Sequence, residues 1–349
     1  MSFPNSAHRE SSFDSLLRAH GANPEKLYAA LGLPLPKSVT DFSTNASVVP
    51  WMPPALDWPA LVSRYPDDEC LELRRLVAER EGVSIHSVLF TNGSNEALYL
   101  LASYLSGRRA AVLQPAYSEY ARALGSYGVE TADLFSLADA GDFDAVFLSN
   151  PCNPTGTYIP NLPQRAREIP QTLFIVDEAY SDFLLWDERP RWQGLPNVIL
   201  LRSLTKFYHL SGARIGYVIA PEDWIERLKA RQPTWSVNAP AQALALAFLR
   251  DEDFARRSLA FYREETPRFV SRIEEAGFPV RPSRVHFFLI QVEDDESVLR
   301  GLLRRGLVAR HTRNFRGLDG HALRVATRTP EGNQRLIDAL RELREEGMS

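Results

Sequence analysis

Sulfur is scarce in this chain: of 349 residues, two are cysteine (Cys70 and Cys152) and three are methionine. With no CxxC pair and no His/Cys cluster, neither a disulfide framework nor a metal site is expected. No apolar run approaches the roughly 18–20 residues that a spanning helix needs. The opening MSFPNSAHRESSFDS lacks the charged start and apolar centre of a signal peptide. Neither sign of charge dominates, since 40 basic against 44 acidic side chains leave a formal net charge of −4. That balance argues against a protein built to coat nucleic acid or a membrane surface. There is no internal repeat and no low-complexity segment. What remains is a chain 44% apolar and long enough for a large core, in two or three domains or one large domain with a satellite. A soluble, cytoplasmic protein is expected, with no nucleic-acid or membrane partner.

Between residues 85 and 220, short Val/Ile/Leu/Phe-rich runs alternate with helix-like ones. Strands are predicted at Val88–Thr91, Ala110–Gln114, Ala145–Ser149, Leu173–Asp177, Val198–Arg202 and Ile215–Ala220. Their lack of polar alternation suits strands covered on both faces. Helices are predicted at Glu96–Leu105 and Ser118–Gly125, so the pattern implies an α/β fold around a mostly parallel, helix-covered sheet. Near residue 240 the character changes. Ala239–Leu249 and Asp253–Glu275 read as long amphipathic helices. A smaller α+β stretch follows: strand Phe287–Val292, helix Glu296–Arg305, strand Leu323–Thr327 and helix Glu331–Glu345. The expected division is an N-terminal arm (1–45, with one helical segment at Glu25–Leu31), a large cofactor-binding domain (46–238) and a small C-terminal domain (239–349).

Four segments carry candidate chemistry. Thr91-Asn92-Gly93-Ser94-Asn95-Glu96-Ala97 lies directly between a strand and a helix. A glycine there permits a tight turn, and the helix start offers free N–H groups and a positive dipole end to a phosphate; ordinary capping is the plainer reading. Asn150-Pro151-Cys152-Asn153-Pro154-Thr155-Gly156 also follows a strand. Its two X-Pro bonds and glycine hold Asn153 at the strand's carboxyl end, where an amide can donate to a ring oxygen, unless the segment is simply a loop. In Phe174-Ile175-Val176-Asp177-Glu178-Ala179-Tyr180 an apolar strand ends in a carboxylate, which either caps the next turn or faces a protonated ring nitrogen. Arg202-Ser203-Leu204-Thr205-Lys206-Phe207-Tyr208 puts a lysine after a strand, beside two hydroxyls and followed by Gly212-Ala213-Arg214-Ile215-Gly216. A carboxylate for a ring nitrogen, a lysine amine, an Asn and a Tyr for a phenolic oxygen, and a phosphate cradle describe one ligand, pyridoxal phosphate.

With these motifs in this order, the chain resembles the fold-type I, aspartate-aminotransferase-like family of pyridoxal-phosphate enzymes along nearly its whole length. The resemblance implies a large domain with a mostly parallel helix-covered sheet and a smaller α+β C-terminal domain. Lys206 matches the Schiff-base lysine and Asp177 the partner of the pyridine nitrogen. Asn153 and Tyr180 match the pair that hydrogen-bonds the phenolic oxygen, and Tyr117, in Gln114-Pro115-Ala116-Tyr117, the aromatic that stacks on the ring. Ser94, Asn95, Ser203, Thr205 and Arg214 match the phosphate-binding set. Arg324, in Ala322-Leu323-Arg324-Val325, matches the arginine that holds the substrate carboxylate. Tyr65, in Arg64-Tyr65-Pro66-Asp67, matches a tyrosine passed across a dimer interface to the neighbour's phosphate, which implies a homodimer with shared active sites.

Two subfamilies compete, histidinol-phosphate aminotransferase and the threonine-phosphate decarboxylase of cobalamin biosynthesis. Ala19-His20-Gly21-Ala22-Asn23, Asp41-Phe42-Ser43-Thr44-Asn45, the lysine segment and Trp235-Ser236-Val237-Asn238-Ala239 look more like the decarboxylase. The chain departs from that pattern at Ala22, where the decarboxylase usually has a second glycine, and at Ala46-Ser47-Val48, where a proline turn is usual. The substrate implied is a phosphorylated amino acid, most simply L-threonine O-3-phosphate. His20, Asn23, Ser43 and Arg310 are the candidates for its phosphate. A non-enzymatic, ligand-sensing reading would need an added basic helix-turn-helix, for which no stretch is long enough.

Overall fold

The computed structural model describes residues 23–186, 189–190, 192, 195–318 and 320–348. By their contacts these residues form two units: 45–268 with 282–288, and 23–44 with 269–281 and 289–348. This division differs from the expected one at both ends. The composition change near residue 240 opens the helix Ala239–Arg250, which still packs on helices Trp58–Ser63 and Leu71–Glu81 of the larger unit. The boundary falls instead inside the helix Glu252–Glu275, next to its internal Pro267, which has no N–H to give to the helix ladder. The segment expected as an arm is, where described, part of the smaller unit. It begins with helix Pro24–Ala30 and the two-residue strand β1 (Thr40–Asp41).

The larger unit is built on a seven-stranded sheet. In chain order its strands are β2 (Val88–Thr91), β3 (Arg109–Leu113), β4 (Glu130–Leu134), β5 (Ala145–Ser149), β6 (Leu173–Asp177), β7 (Val198–Ser203) and β8 (Gly216–Ile219). Their spatial order is β2-β8-β7-β6-β5-β3-β4. β8 runs antiparallel to both neighbours, and the other pairings are parallel. β2, β5, β7 and β8 are buried along their whole length, as strands with helices on both faces must be. On one face Leu89, Val112, Phe147, Ile175, Ile199 and Val218 share a core with Leu98 and Leu101 of helix Gly93–Tyr104 and Leu124 of helix Glu119–Ser126. β4 is absent from the expected strands because it is a half-exposed edge strand with a polar Glu130, Thr131 and Asp133.

Strand order reverses between β3 and β5: from there β6 and β7 continue one way and β4 the other. In such sheets ligands bind outside the carboxyl ends of the strands at the reversal. The loops that leave those ends here are Gln114–Tyr117 after β3, Asn150–Gly156 after β5 and Glu178–Tyr180 after β6.

The smaller unit holds a four-stranded sheet, made of β9 (Val280–Arg281), β10 (Phe287–Gln291), β12 (Arg310–His311) and β13 (Ala322–Ala326), in the order β12-β13-β10-β9. Between β10 and β12 in sequence lies β11 (Leu307–Val308), which pairs parallel with β1. Helices Asp295–Arg304 and Pro330–Glu345 pack against each other. Tyr28, in the first helix, donates its hydroxyl to Leu303 O at 2.6 Å, so residues 24–41 are fastened into this unit. Among the described residues no helix is long and apolar enough to cross a membrane.

Candidate active site

The phosphate end is assembled from two loops brought together by β8 pairing between β2 and β7. Thr91 pairs with Gly216, and Gly216 pairs with Ser203. The start of helix Gly93–Tyr104 therefore lies beside the loop that carries Ser203, Thr205 and Arg214. Gly93 has φ +70°, and a Cβ built on it would stand 2.8 Å from Arg214 Nη2. A side chain at 216 would force the backbone to shift, since its Cβ would lie 2.6 Å from Arg202 O and 2.9 Å from Ser94 N. Ser203 Oγ and Thr205 Oγ1 are 2.7 Å apart and both buried. Arg214 is placed by a left-handed backbone (φ 59°) and by its Nη1 donating to Ser211 O at 2.9 Å. Helix N–H groups, two hydroxyls and a guanidinium make an anion site.

The other end of the site lies at the carboxyl ends of β5, β6 and β7. Asp177 is 7% exposed; its Oδ1 accepts from the Ala179 N–H at 2.9 Å and its Oδ2 from the Tyr120 hydroxyl at 2.7 Å. Burial raises its pKa, while these two donors and the charge of Lys206 pull it back. Lys206 is half-buried, its carbonyl accepts from Ser47 N at 2.8 Å, and no hydrogen bond or ion pair holds its ammonium among the described residues. Asn153 is positioned by its N–H, which donates to Ser149 Oγ at 3.1 Å. The buried Tyr180 accepts at its hydroxyl from Asn45 Nδ2 at 3.2 Å, while Asn45 Oδ1 is buried with no hydrogen-bond partner. Tyr117 donates to Asn95 Oδ1 at 3.5 Å, and burial pushes its phenol up to about 12. Below this layer the buried Arg202 reaches Glu178 Oε2 at 2.8 Å and donates to Ser181 Oγ at 2.7 Å, tying β7 to the chain that leaves β6.

In the smaller unit, Arg310 and Arg324 stand opposite each other on β12 and β13. Both are buried, at 6% and 5% exposure. Arg324 Nη2 donates to Ser43 O at 2.5 Å, and the Ser43 hydroxyl donates to Asp41 Oδ1 at 2.6 Å. Arg310 has no acidic partner among the described residues: Nη1 lies 3.0 Å from His311 Nε2, and the guanidinium sits 5.7 Å from the centre of the Phe315 ring. Burial first, and Arg324 second, bring its pKa down to about 9.

The remaining sequence candidates are placed as follows. Asn23 caps its own helix, accepting from Lys26 N at 3.1 Å. Tyr65 is 80% exposed and stacks on Trp235 with ring centres 4.5 Å apart. His20 lies outside the described residues. A separate cavity of about 420 Å³, walled by Trp192, Val198, Leu200 and Ile219, contains none of the candidates. Sequence reasoning missed Asn45 as a neighbour of Tyr180, and Tyr120. The only local signal for Tyr120 is its position three residues after Tyr117, at the start of a helix.

The arrangement in the larger unit fits pyridoxal phosphate on its own terms. An anion cradle closed by glycines, a buried carboxylate with both oxygens held, an uncommitted amine and a buried phenol are the groups that this cofactor uses. Residues 61–340 match the family described as aminotransferase class I and II. The chain is 33% identical to threonine-phosphate decarboxylase of Salmonella typhimurium, across 93% of this chain and 96% of that relative. It is 36% identical to histidinol-phosphate aminotransferase of Symbiobacterium thermophilum, across 82% of this chain and 84% of that relative. Among solved structures, L-threonine-O-3-phosphate decarboxylase from Porphyromonas gingivalis gives a TM-score of 0.79 at 27% identity, covering 88% of this chain and 100% of that one. A family match over most of the length, on a fold and a cradle that suit the same cofactor, leads to one conclusion: this chain belongs to the class I and II aminotransferase family, fold-type I enzymes whose cofactor is pyridoxal phosphate.

Proposed function

We propose that this enzyme decarboxylates a phosphorylated amino acid, L-threonine O-3-phosphate in the first instance, releasing CO2 and (R)-1-amino-2-propanol phosphate for cobalamin biosynthesis. The observation that carries the reading is the pair of buried arginines, Arg310 facing Arg324 with no acid beside Arg310 among the described residues. A buried arginine with no acidic partner among the described residues, set across the strand pair from a second buried arginine, suits a ligand with two anionic groups, here a carboxylate and a phosphate. Extent of similarity supports the same choice, since the decarboxylase relative matches 93% of the chain and the aminotransferase relative 82%.

When bound, the cofactor supplies a protonated ring that accepts the electron pair of whichever Cα bond stands perpendicular to it. The chain's own groups would do the rest. Asp177 holds the ring nitrogen, Tyr117 covers the ring, and Asn153 and Tyr180 bind the phenolic oxygen. Ser94, Asn95, Ser203, Thr205 and Arg214 hold the cofactor phosphate, and Lys206 is the covalent attachment point. Arg324 takes the substrate carboxylate, while Arg310, Ser43, Asn23 and His20 anchor its phosphate. Anchoring the phosphate decides how the carboxylate is turned, so positioning selects the reaction without new catalytic groups. After CO2 departs, Lys206 Nζ is the proton donor to Cα.

Met52, Trp58, Val62 and Tyr65 are large apolar side chains left exposed in one stretch of the sequence, and this stretch would meet a second copy of the chain, with Tyr65 serving the neighbour's phosphate site. The decisive experiment incubates the purified protein with L-threonine O-3-phosphate without 2-oxoglutarate. CO2 and the amino-alcohol phosphate are expected. No CO2, together with glutamate formed from histidinol phosphate and 2-oxoglutarate, would establish the aminotransferase reading, which the 36% identical relative favours.

A further inference from the structure

Tyr120 lies in the first turn of helix Glu119–Ser126 and is 1% exposed. Its ring is held on two sides, edge-on to Tyr117 with centres 5.8 Å apart and tilted against Phe147 at 6.2 Å. So fixed, its hydroxyl has a defined direction and reaches Asp177 Oδ2 at 2.7 Å. The Ala179 N–H occupies the other oxygen, Oδ1, at 2.9 Å. A carboxylate bonded at both oxygens by groups that cannot turn is itself unable to turn. A hydroxyl donor to a buried carboxylate also favours the ionised form.

We propose that Tyr120 is a positioning residue for the cofactor: its hydroxyl fixes the plane of Asp177 and keeps it in the form that bonds a protonated ring nitrogen. The proposal rests on the reading of Asp177 as the ring-nitrogen partner. It adds that one phenol links the two sides of the ring site, since Tyr120 touches both Asp177 and the stacking residue Tyr117. The titratable groups that act on Asp177 are Tyr120 and Lys206; Tyr117 senses its charge, and Cys152 acts on Tyr120. Burial raises both phenols, Tyr117 to about 12 and Tyr120 well above its ordinary value, so neither titrates in acid.

The test is the pH dependence of cofactor affinity, measured by titrating pyridoxal phosphate into the cofactor-stripped full chain and following tryptophan fluorescence. Affinity should fall on the acid side as Asp177 gains a proton. In Tyr120→Phe that limb should move up by about one pH unit, with roughly tenfold weaker binding at neutral pH. Phe147→Leu, which disturbs the same ring without touching the hydroxyl, should leave the limb in place. A uniform loss of affinity in Tyr120→Phe with an unmoved limb would overturn the proposal, because packing alone then explains it. Asp177→Asn separates the two readings. If it retains the acid limb, Asp177 is not the ring partner. If it removes the limb while Tyr120→Phe leaves it unmoved, only the role of Tyr120 fails. Should Tyr120→Phe not fold, Tyr120→His, which keeps a ring donor, takes its place, and an affinity and limb identical to those of Tyr120→Leu would count against the proposal.

Discussion

A buried guanidinium that faces another guanidinium is held in the fold at a cost. Arg310 is such a group, with its pKa brought down to about 9 by burial and by Arg324. Between about pH 9 and its ordinary value the native chain has released a proton that the unfolded chain keeps. The cost therefore shrinks as pH rises through that window and is present in full below it. In the cofactor-loaded protein, whose own anion cradle is already filled, inorganic phosphate should raise the melting temperature at neutral pH, and that increment should fade above about pH 9, as scanning calorimetry would show. Arg310→Met should raise the ligand-free stability by about 1 kcal/mol and abolish the phosphate increment. An increment that survives the substitution would place the anion elsewhere. Side chains such as Lys206, Asp177 and Arg214 are legible from sequence because each sits a few residues from a strand end that hydrophobicity marks. Tyr120 is not: it meets Asp177 across 57 residues, and Asn45 meets Tyr180 across 135, distances at which local spacing carries no signal.

At the scale of elements, legibility follows burial. The six strands predicted from residues 88 to 220 are the five inner strands and the fully buried edge strand β2, and each is found within a residue or two of its expected bounds. β4 escapes because its exposed positions are polar. Helix Leu71–Glu81 is equally obscure, since Arg74 stands among Leu73, Val77 and Ala78 on its buried side and holds Glu69 and Ile85 O. The domain boundary is hidden for another reason: it falls inside a helix, where the sequence continues its periodicity. Gly216 is the element-level test of the phosphate end. Gly216→Ala would drive a methyl to 2.6 Å from Arg202 O and 2.9 Å from Ser94 N, both backbone atoms in paired strands or a helix start. It should cost about 1–3 kcal/mol of stability, read by thermal melting, and release cofactor on gel filtration that the parent protein retains. Full retention with an unchanged melting curve would refute this account of the cradle.

For the molecule as a whole, the consequence to check is association. Val62 and Tyr65 are 72% and 80% exposed, and Met52 and Trp58 are exposed too, all in a segment that follows the buried Asn45–Ser47 turn. Light scattering should give twice the chain mass. On the proposal that Tyr65 serves the neighbour's phosphate site, Val62→Glu with Trp58→Glu should yield monomers that bind the cofactor more weakly; monomers with undiminished affinity would sever that link. One further consequence follows from the reversed direction of β8. The chain leaves the sheet at Ser203 and re-enters it at Gly216, two residues that sit on the same rung. The amine at 206 and the guanidinium at 214 thus hang on a closed noose whose knot is tied in the sheet interior. Lengthening that noose by even one residue would part the two groups while leaving the knot intact.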